Sequence, residues 1–447
     1  MIVIVTLPIF FRIIVKVLPF QLPENVQPSV KILKSDSLTL WNTTPPNRVP
    51  LNTISTLTRQ LQKEAEVDNL MENVDSVVHR ARGRAKRPGK KECLEIRNRI
   101  QQAIVQLLHS FDCVIDTTME TEFSAVTDDF IRHAYDFDPD IGDEPLYQAA
   151  RNVLIMNTLQ MHLGKEISLT PSVFAYSMLY PYTDNYLDRA DIQTGSKHDA
   201  NNWLLLRLNG VSVHPRNRNE EIIDRLVAMI EQEFDRDAYP SVFESLLAIH
   251  HAQILSVSQT DDSPLPLDQL LDISLEKGGT SVLADGYLVS GTLSEADATF
   301  LFRFGFLLQL VDDLQDIEED DRNKQRTLVG VLASLDSLDA FTSHLLSFLE
   351  TVVGPDPQEF SHVDPKLRKL IERSCRLLIF EAVALNEKCY NSAYIAMIEH
   401  HSPVRFSYLR EVHERLGKVY NSRRMIKSAR VKNGFHQQRK KIFERFG

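Results

Sequence analysis

The stretch Gln309-Leu310-Val311-Asp312-Asp313-Leu314-Gln315-Asp316 closes an apolar run that begins at Phe300 and contains no proline. The run predicts a buried helix. On a helix, Asp312, Asp316 and Asp320 recur every four residues and would share one face. Like charges at that spacing repel, so such a face is useful when cations lie between the carboxylates and another anion. Carboxylate oxygens suit Mg²⁺, which fills its coordination shell with water and phosphate oxygens.

A second acidic pattern, Asp184-Asn185-Tyr186-Leu187-Asp188, closes another apolar and aromatic segment, Val173 to Tyr182. Asp184, Asp188 and Asp191 are spaced so that they too share one helical face. An acidic run by itself is more often a solvated helix end. Here two such faces follow apolar helices at distant places in the chain. The pair predicts two carboxylate-bearing helix ends that share metal ions around a diphosphate.

The composition favours an all-α protein with a large core. The chain has 447 residues, 43% of them hydrophobic and 25% charged, and long stretches lack strand-like alternation. The net charge of -11 argues against a general nucleic-acid-binding protein. The four cysteines show no metal-ligand spacing and are expected to be ordinary reduced residues of a cytoplasmic protein.

Composition also divides the chain into regions. An apolar N-terminal segment with a proline-rich linker is predicted for residues 1–50, accessory helices for 51–140, the main helical domain for 141–430 and a basic tail for 431–447. The uncharged start, Met1–Phe11, is too short to span a bilayer. Two interpretations of the N-terminal segment stay open, peripheral contact with a membrane and docking on the protein itself.

Local signals predict where several helices begin, bend or end. Thr170-Pro171 predicts the start of the helix that carries the first acidic pattern, and Pro181 predicts a kink in it. Lys277-Gly278-Gly279 interrupts a helix predicted over Pro266–Gly291. Each glycine there disfavours the helix by roughly 1 kcal/mol relative to alanine. We therefore expect a kink, or a close approach to a ligand, at this point. A single long helix is predicted over Lys366–Met397.

These patterns resemble those of a known family. Gln309 with Asp312-Asp313-x-x-Asp316, and the later Arg326-Thr327-Leu328, resemble the second aspartate-rich region of all-trans polyprenyl diphosphate synthases and related class I isoprenoid synthases. The block Lys277-Gly278-Gly279-Thr280 looks like the Lys-Thr block of the same family. The first pattern is similar to the DDxxD motif with Asn185 in second place. The resemblance covers Thr170 to Ser334.

The resemblance implies a single large antiparallel helical bundle, the class I isoprenoid synthase fold, with a central active-site cavity. Two departures bear on the reaction. Chain-elongating synthases carry Arg-Arg-Gly after the first motif, where this chain has Gln193-Thr194-Gly195. They also carry a Gly-Gly-Lys-Arg block for isopentenyl diphosphate, and the nearest stretch here, Gly83 to Lys91, is far upstream. What remains is the machinery that ionises an allylic diphosphate, as in a terpene synthase.

The resemblance also implies roles for individual residues. Mg²⁺ is the expected cofactor, as three ions with Mn²⁺ as an alternative, held by Asp184, Asp188, Asp312 and Asp316. With Asp184, Asp188 and Asp312, Lys277 completes the predicted catalytic set, because it would hold diphosphate oxygens as a point charge. Further predicted substrate-binding residues are Gln309, which would orient an Asp or a water, Lys324 and Arg326, which would cover the site, and Tyr176, Tyr180, Phe304 and Leu308.

The last four residues come from helical spacing. Counting back by turns from Asp184 reaches Tyr180 and Tyr176, and counting back from Asp312 reaches Leu308 and Phe304. Aromatic faces can stabilise a passing cation. For Phe304 and the other phenylalanines of its helix, core packing is the alternative. In the related synthases a bulky residue at the position of Tyr180 implies a shorter prenyl chain.

The sequence leaves three alternative functions open. The first is a Mg²⁺-dependent terpene synthase acting on a linear prenyl diphosphate. The second is a prenyltransferase, either chain-elongating or of the head-to-head squalene- and phytoene-synthase type. The third is a non-catalytic helical partner subunit. By analogy with helical synthases, a homodimer is expected. Arg189 and Arg207 are weaker candidates for the site, with a surface charge as the preferred interpretation of each.

Overall fold

The described secondary structure is entirely helical. The structure is a computed structural model that describes residues 28–45, 54–82, 106, 117–188, 194–260, 265–354 and 365–415. Within these ranges the chain forms α-helices joined by turns and short 3₁₀ segments, with no strand, so the prediction of an all-α protein is confirmed. In chain order the α-helices are α1 (Pro28–Thr43), α2 (Leu57–Arg82), α3 (Thr117–Phe137), α4 (Asp143–His162), α5 (Pro171–Asp188), α6 (Thr194–Leu208), α7 (Arg218–Glu233), α8 (Pro240–Ser256), α9 (Leu267–Ser290), α10 (Glu295–Gln315), α11 (Ile317–Arg322), α12 (Leu328–Leu335), α13 (Asp339–Val353), α14 (Pro365–Leu385), α15 (Ser392–Glu399) and α16 (406–415).

The helices α9 and α10 form the centre of the fold. After α9 ends at Ser290, Gly291 has a φ of 75°, a left-handed conformation that favours glycine. Ser294 then caps α10, because its side chain accepts a hydrogen bond from the Asp297 N–H at 3.1 Å. This short connection makes α9 and α10 antiparallel neighbours. Of all helix pairs in the described part, these two pack most extensively.

Glycines allow α9 and α10 to approach backbone to backbone. A Cβ atom on Gly278 would lie less than 3.0 Å from the carbonyl oxygen of Gly305, and a Cβ on Gly305 would meet the Gly278 carbonyl equally closely. A Cβ on Gly279 would lie equally close to the ring of Phe302. The helix itself is unbroken from Leu267 to Ser290. The expected interruption is therefore wrong, and the glycines make room for a neighbouring helix.

Two apolar clusters lie on either side of this pair. One surrounds α10 and includes the fully buried rings of Phe302, Phe306, Phe348 and Phe380. The other cluster contains buried residues of the six successive helices from α3 through α8. Helix α9 contributes to both, with Leu283 in the first cluster and Leu288 in the second. A site between the clusters is therefore bounded by α9 and α10.

The region before residue 50 supplies a helix of this core. The predicted linker is wrong between Pro28 and Thr43, where the chain forms α1. Val30, Leu33 and Trp41 fall on one buried face, which is the spacing that the linker interpretation overlooked. The ring of Trp41 stacks on His344, with centroids 4.0 Å apart, and meets Phe348 edge-on at 5.1 Å.

Other predicted boundaries are confirmed or corrected. Helix α5 begins at Pro171, and the Thr170 hydroxyl accepts the Val173 N–H at 3.3 Å, as the Thr-Pro signal predicts. The long helix predicted over Lys366–Met397 is wrong, since α14 ends at Leu385. Asn386 is buried there, and its amide donates to the Leu314 carbonyl at 3.1 Å, which turns the chain away from a helical path.

Membrane-spanning helices are absent from the described ranges, where no helix combines the length and apolarity that crossing a bilayer requires. The N-terminal segment Met1–Phe20, the basic stretch that follows α2 and the C-terminal tail lie outside the described residues.

Replacing Gly278 with alanine is expected to destabilise the protein by about 1–3 kcal/mol, because the new methyl group would overlap a backbone carbonyl that cannot rotate away. Chemical denaturation followed by helical circular dichroism would measure the change. Ser281→Ala, on the same helix and partly exposed, is the matched control and should stay within about 0.5 kcal/mol of the wild type. Equal stability of the two variants would show that α9 and α10 are not in backbone contact.

Candidate active site

A cavity of about 140 Å³ lies where α4, α5, α8, α9 and α10 meet. Its wall brings together predicted site residues from three helices. They are Tyr176 of α5, Lys277 of α9, and Leu308, Gln309 and Asp312 of α10. The two helices that carry the acidic patterns therefore both border this cavity.

The first acidic pattern continues from one wall of this cavity. Helix α5 runs from Pro171 through Pro181 to Asp188, so Asp184 follows Tyr176 by roughly 12 Å of helix. The side chains of Tyr180, Asp184 and Asp188 lie outside the described part of the structure. Their placement beside Asp312, and their roles, stay predictions.

The second acidic pattern is divided between two helices. Asp316 ends α10, with φ of -100° and ψ of 13°, and α11 begins at the next residue. The single stripe predicted for Asp312, Asp316 and Asp320 is therefore wrong as a continuous helical face. The change of helix lies in the Asp316 backbone angles, and the Asp320 N–H then donates to the Asp316 carbonyl at 2.8 Å in the first turn of α11. Both Asp316 and Asp320 remain buried, each 2% exposed.

Gln309 orients a carboxylate, which is one of the two roles expected for it. Its amide donates to Asp313 Oδ1 at 2.8 Å, and the Ser274 hydroxyl of α9 donates to Asp313 Oδ2 at 2.9 Å. Asp313 was not among the predicted ligands, although it stands within the acidic motif. The two hydrogen bonds hold its carboxyl between α9 and α10.

Burial raises the proton affinity of the carboxyls in this region, and repulsion between some of them adds to the effect. Burial raises the pKa of Asp312 well above its usual range, and the charge of Asp316 adds to the effect, whereas Lys277 and Arg151 act in the opposite direction. Burial also raises the pKa of Asp320 to about 8, with Asp313 and Asp316 contributing. Burial also raises the pKa of Asp313, whereas the charge of Lys277 and the hydrogen bonds from Gln309 and Ser274 lower it. Acidic groups here outnumber the two cations, Lys277 and Arg151, that act on them.

Lys277 is the cation common to this acidic group, since its charge acts on Asp312, Asp313 and Asp320. The adjacent Glu276 is engaged elsewhere. Lys34 of α1 donates to its carboxylate at 2.6 Å, and the ring of His251 lies 3.1 Å from its other oxygen. Burial would raise the pKa of Glu276, but the hydrogen bonds from His251 and Lys34 lower it.

The donors near Lys277 fit a divalent cation. They are carboxylate oxygens, which Mg²⁺ prefers, and Asp320 Oδ1 is a buried oxygen without a hydrogen-bond partner among the described residues. Within the same residues, no three His, Cys, Asp or Glu side chains converge closely enough to hold one ion by themselves. Mg²⁺ commonly takes one or two carboxylates and completes its shell with water and substrate phosphate.

Several predicted site residues lie elsewhere. Phe304 does not line the cavity: its ring is buried and stacks on Phe300 at 5.7 Å, so the core-packing alternative is the correct one. Lys324 and Arg326 are exposed and are not part of the cavity wall. Arg207 is buried and pairs with Asp224 and Glu231, so the surface charge that was preferred for it is wrong, and its role is structural.

Comparison of the chain with models of known protein families, with curated proteins and with solved structures gave no match.

Several polar residues of the cavity wall were not predicted, among them Asp285, Arg151 and Asn152. Asp285 follows Lys277 and Ser281 at helical spacing on α9, so a longer count along that face would have found it. Arg151 and Asn152 are neighbours on α4, and no sequence pattern distinguishes them from ordinary polar residues of an amphipathic helix.

The pH dependence of stability provides a test of the buried state of Asp285. Burial raises its pKa from 3.8 to about 8, against the opposing effect of a hydrogen bond from Asn152. Because the folded protein holds this proton more tightly than the unfolded chain, the contribution to stability is complete at low pH. It is lost as the pH rises towards 8.

We therefore expect Asp285→Asn, which is always neutral, to gain stability relative to the wild type as the pH rises from about 5 to about 8. The expected gain is on the order of 1 kcal/mol per pH unit. Thermal and chemical denaturation across this range would measure it. Asp268→Asn makes the same chemical change at an exposed site of α9 and should show a constant offset. A constant offset for Asp285→Asn as well would contradict the prediction.

Proposed function

We propose that the protein is a Mg²⁺-dependent class I terpene synthase that ionises a linear allylic prenyl diphosphate and releases diphosphate. The observation that carries the proposal is the composition of one cavity wall. Lys277 and Asp312 lie in it beside the buried acidic group of α10 and α11, and the apolar and aromatic side chains of Leu308 and Tyr176 lie in the same wall. The wall therefore combines polar groups suited to a charged head with apolar surface suited to a hydrocarbon chain.

The diphosphate would be bound at the acidic end. Lys277 is assigned to its oxygens, and Arg151 of the same wall is a second cation within reach of the site. Asp312 and Asp316 would hold Mg²⁺ together with Asp184 and Asp188 of α5, and Asp313 and Asp320 add buried carboxylates next to them. Mg²⁺, when bound, acts as a Lewis acid that neutralises the charge of a departing diphosphate.

The prenyl chain would occupy the rest of the cavity. Tyr176, Leu308, Ile155, Ile249 and Val282 contribute apolar surface to its wall. This surface excludes water from a reacting cation, and the ring of Tyr176 offers a face that stabilises positive charge. The proposal includes the class I isoprenoid synthase fold, which the antiparallel pair α9 and α10 beside a cavity supports.

Prenyl transfer is the second candidate. Arg151 favours it, because a second cation beside Lys277 suits a site that holds two diphosphates. The missing Arg-Arg-Gly after the first acidic pattern speaks against it. The two reactions differ in whether product formation requires isopentenyl diphosphate.

Purified full-length protein is expected to release diphosphate from farnesyl or geranylgeranyl diphosphate in the presence of Mg²⁺ alone. Asp312→Asn should reduce the turnover by about 100-fold or more, because the variant lacks a carboxylate that would hold Mg²⁺ at the leaving group. Colorimetric diphosphate release and chromatography of the organic products would measure both.

Asp321→Asn is the matched control, since Asp321 belongs to the same acidic run but is exposed, and it should keep the wild-type turnover. Product that forms only with added isopentenyl diphosphate would replace the proposal by prenyl transfer. No diphosphate release with any prenyl diphosphate would favour a non-catalytic subunit.

Lys277→Gln is expected to raise the KM for the prenyl diphosphate by about 10- to 100-fold, because the variant loses a charged hydrogen bond to a phosphate oxygen. Lys277→Arg should retain part of the affinity, because it keeps the charge but changes its geometry. Steady-state kinetics would give both values. Lys165→Gln, at an exposed position outside the cavity, is the control. An unchanged KM for Lys277→Gln would remove Lys277 from the binding site.

A further inference from the structure

A second acidic position lies deeper in the same cavity. Lys277, Ser281 and Asp285 follow one another along the face of α9 that lines it. Asp285 is therefore roughly 12 Å from Lys277 along the helix axis. A prenyl diphosphate whose head is bound at Lys277 would extend its hydrocarbon part towards Asp285.

The Asp285 carboxyl is oriented from one side. The Asn152 amide of α4 donates to its Oδ1 at 3.3 Å and donates also to the Ser177 hydroxyl at 3.3 Å. The side chain of Asp285 is 2% exposed, and the bond from Asn152 is the hydrogen bond that it makes within the described part of the chain. No Lys, Arg or His of that part forms an ion pair with it. The second carboxyl oxygen, Oδ2, is therefore available to a ligand in the cavity.

We propose that Asp285 is the general base that ends the reaction by removing a proton from the cationic hydrocarbon, and that Asn152 is the positioning residue that aims it. This inference rests on the proposed function, because it requires a carbocation in the cavity. It also defines the product class as an alkene formed within the cavity.

The step balances without a further reactant. A C–H bond next to the cationic carbon breaks, and its electron pair forms the C=C bond of the alkene. The proton passes to Asp285 Oδ2, and the carboxylate becomes a neutral carboxylic acid. Positive charge on the hydrocarbon and negative charge on Asp285 disappear together. The proton returns to solvent when the product leaves, and the fraction of the protein that holds Asp285 as the carboxylate, which grows as the pH rises towards 8, starts the next cycle.

The environment of Asp285 suits a group that changes its charge in each cycle. A general base is most effective when its pKa lies near the working pH, and burial raises the pKa of Asp285 to about 8. A carboxyl needed only for packing would be more stable as an apolar side chain, since a buried polar group with an open hydrogen-bonding site is unfavourable.

Full-length wild-type protein, Asp285→Asn and Asn152→Leu would be incubated with Mg²⁺ and farnesyl diphosphate, or geranylgeranyl diphosphate where only that substrate reacts. The yield of each organic product is then expressed per diphosphate released. The wild type is expected to form an alkene. In Asp285→Asn its yield should fall by about tenfold or more, with replacement by alcohols or by alkenes from loss of a different proton. Asn152→Leu should shift the products in the same direction but less.

Asp268→Asn is the matched control and should give the wild-type product composition. Thermal melting confirms that each variant is folded. An unchanged product composition in Asp285→Asn, or a wild type that releases diphosphate but forms only alcohol, would overturn the inference and leave the proposed function standing. If the wild type releases no diphosphate from either substrate, the proposed function fails and this inference fails with it.

Discussion

The backbone contact between α9 and α10 at Gly278 and Gly305 is the constraint on which the site depends. Because no side chain separates the two helices there, Lys277 on one and Asp312 on the other border the same cavity. The hydrogen bond from Ser274 to Asp313 joins the helices a turn further on. Sequence positions that are 35 residues apart thus act as one polar surface, and small changes in the helix crossing would separate them.

The polar surface is unfavourable for the fold when nothing is bound to it. Asp313, Asp316 and Asp320 are each buried, and burial raises the pKa of Asp313 and Asp320 in the direction of the neutral form. A stable protein tolerates such a group only where the surrounding apolar core compensates for it. Here the rings of Phe302 and Phe306 and the leucines of α10 supply that core. A divalent cation would relieve the same repulsion, which is a physical reason for carboxylates to collect at this place.

The sequence alone predicts the all-helical class and much of the site, for reasons that are local. Helical spacing within single elements points to Tyr176, Leu308 and Asp312, the family resemblance points to Lys277, and the structure places all four around one cavity. Residues contributed by tertiary packing were missed. Lys34 reaches Glu276 from a helix more than 200 positions away, and the cavity position of Asn152 depends on how α4 packs on α5 and α9.

The wrong predictions for Phe304, for the acidic stripe and for the N-terminal linker also concern features that helical spacing alone does not determine. Phe304 was placed by spacing on the face of Asp312, but aromatic residues surround α10 and only packing decides which of them meet the cavity. The break at Asp316 depends on the turn that leads into α11, for which the acidic run contains neither glycine nor proline as a signal. Helix α1 was obscured by the prolines around it, although its buried positions follow a regular period.

The docking of α1 has a consequence for shortened forms of the protein. Trp41 fills a space between Phe306, Phe348 and His344, and Lys34 neutralises a carboxylate one residue from Lys277. A truncated protein that starts at residue 51 would leave that hollow open to solvent and that carboxylate without its lysine. Helix α1 is thus an integral support of the helices that line the cavity, and its removal would disturb both the surroundings of Glu276 and the packing of α10.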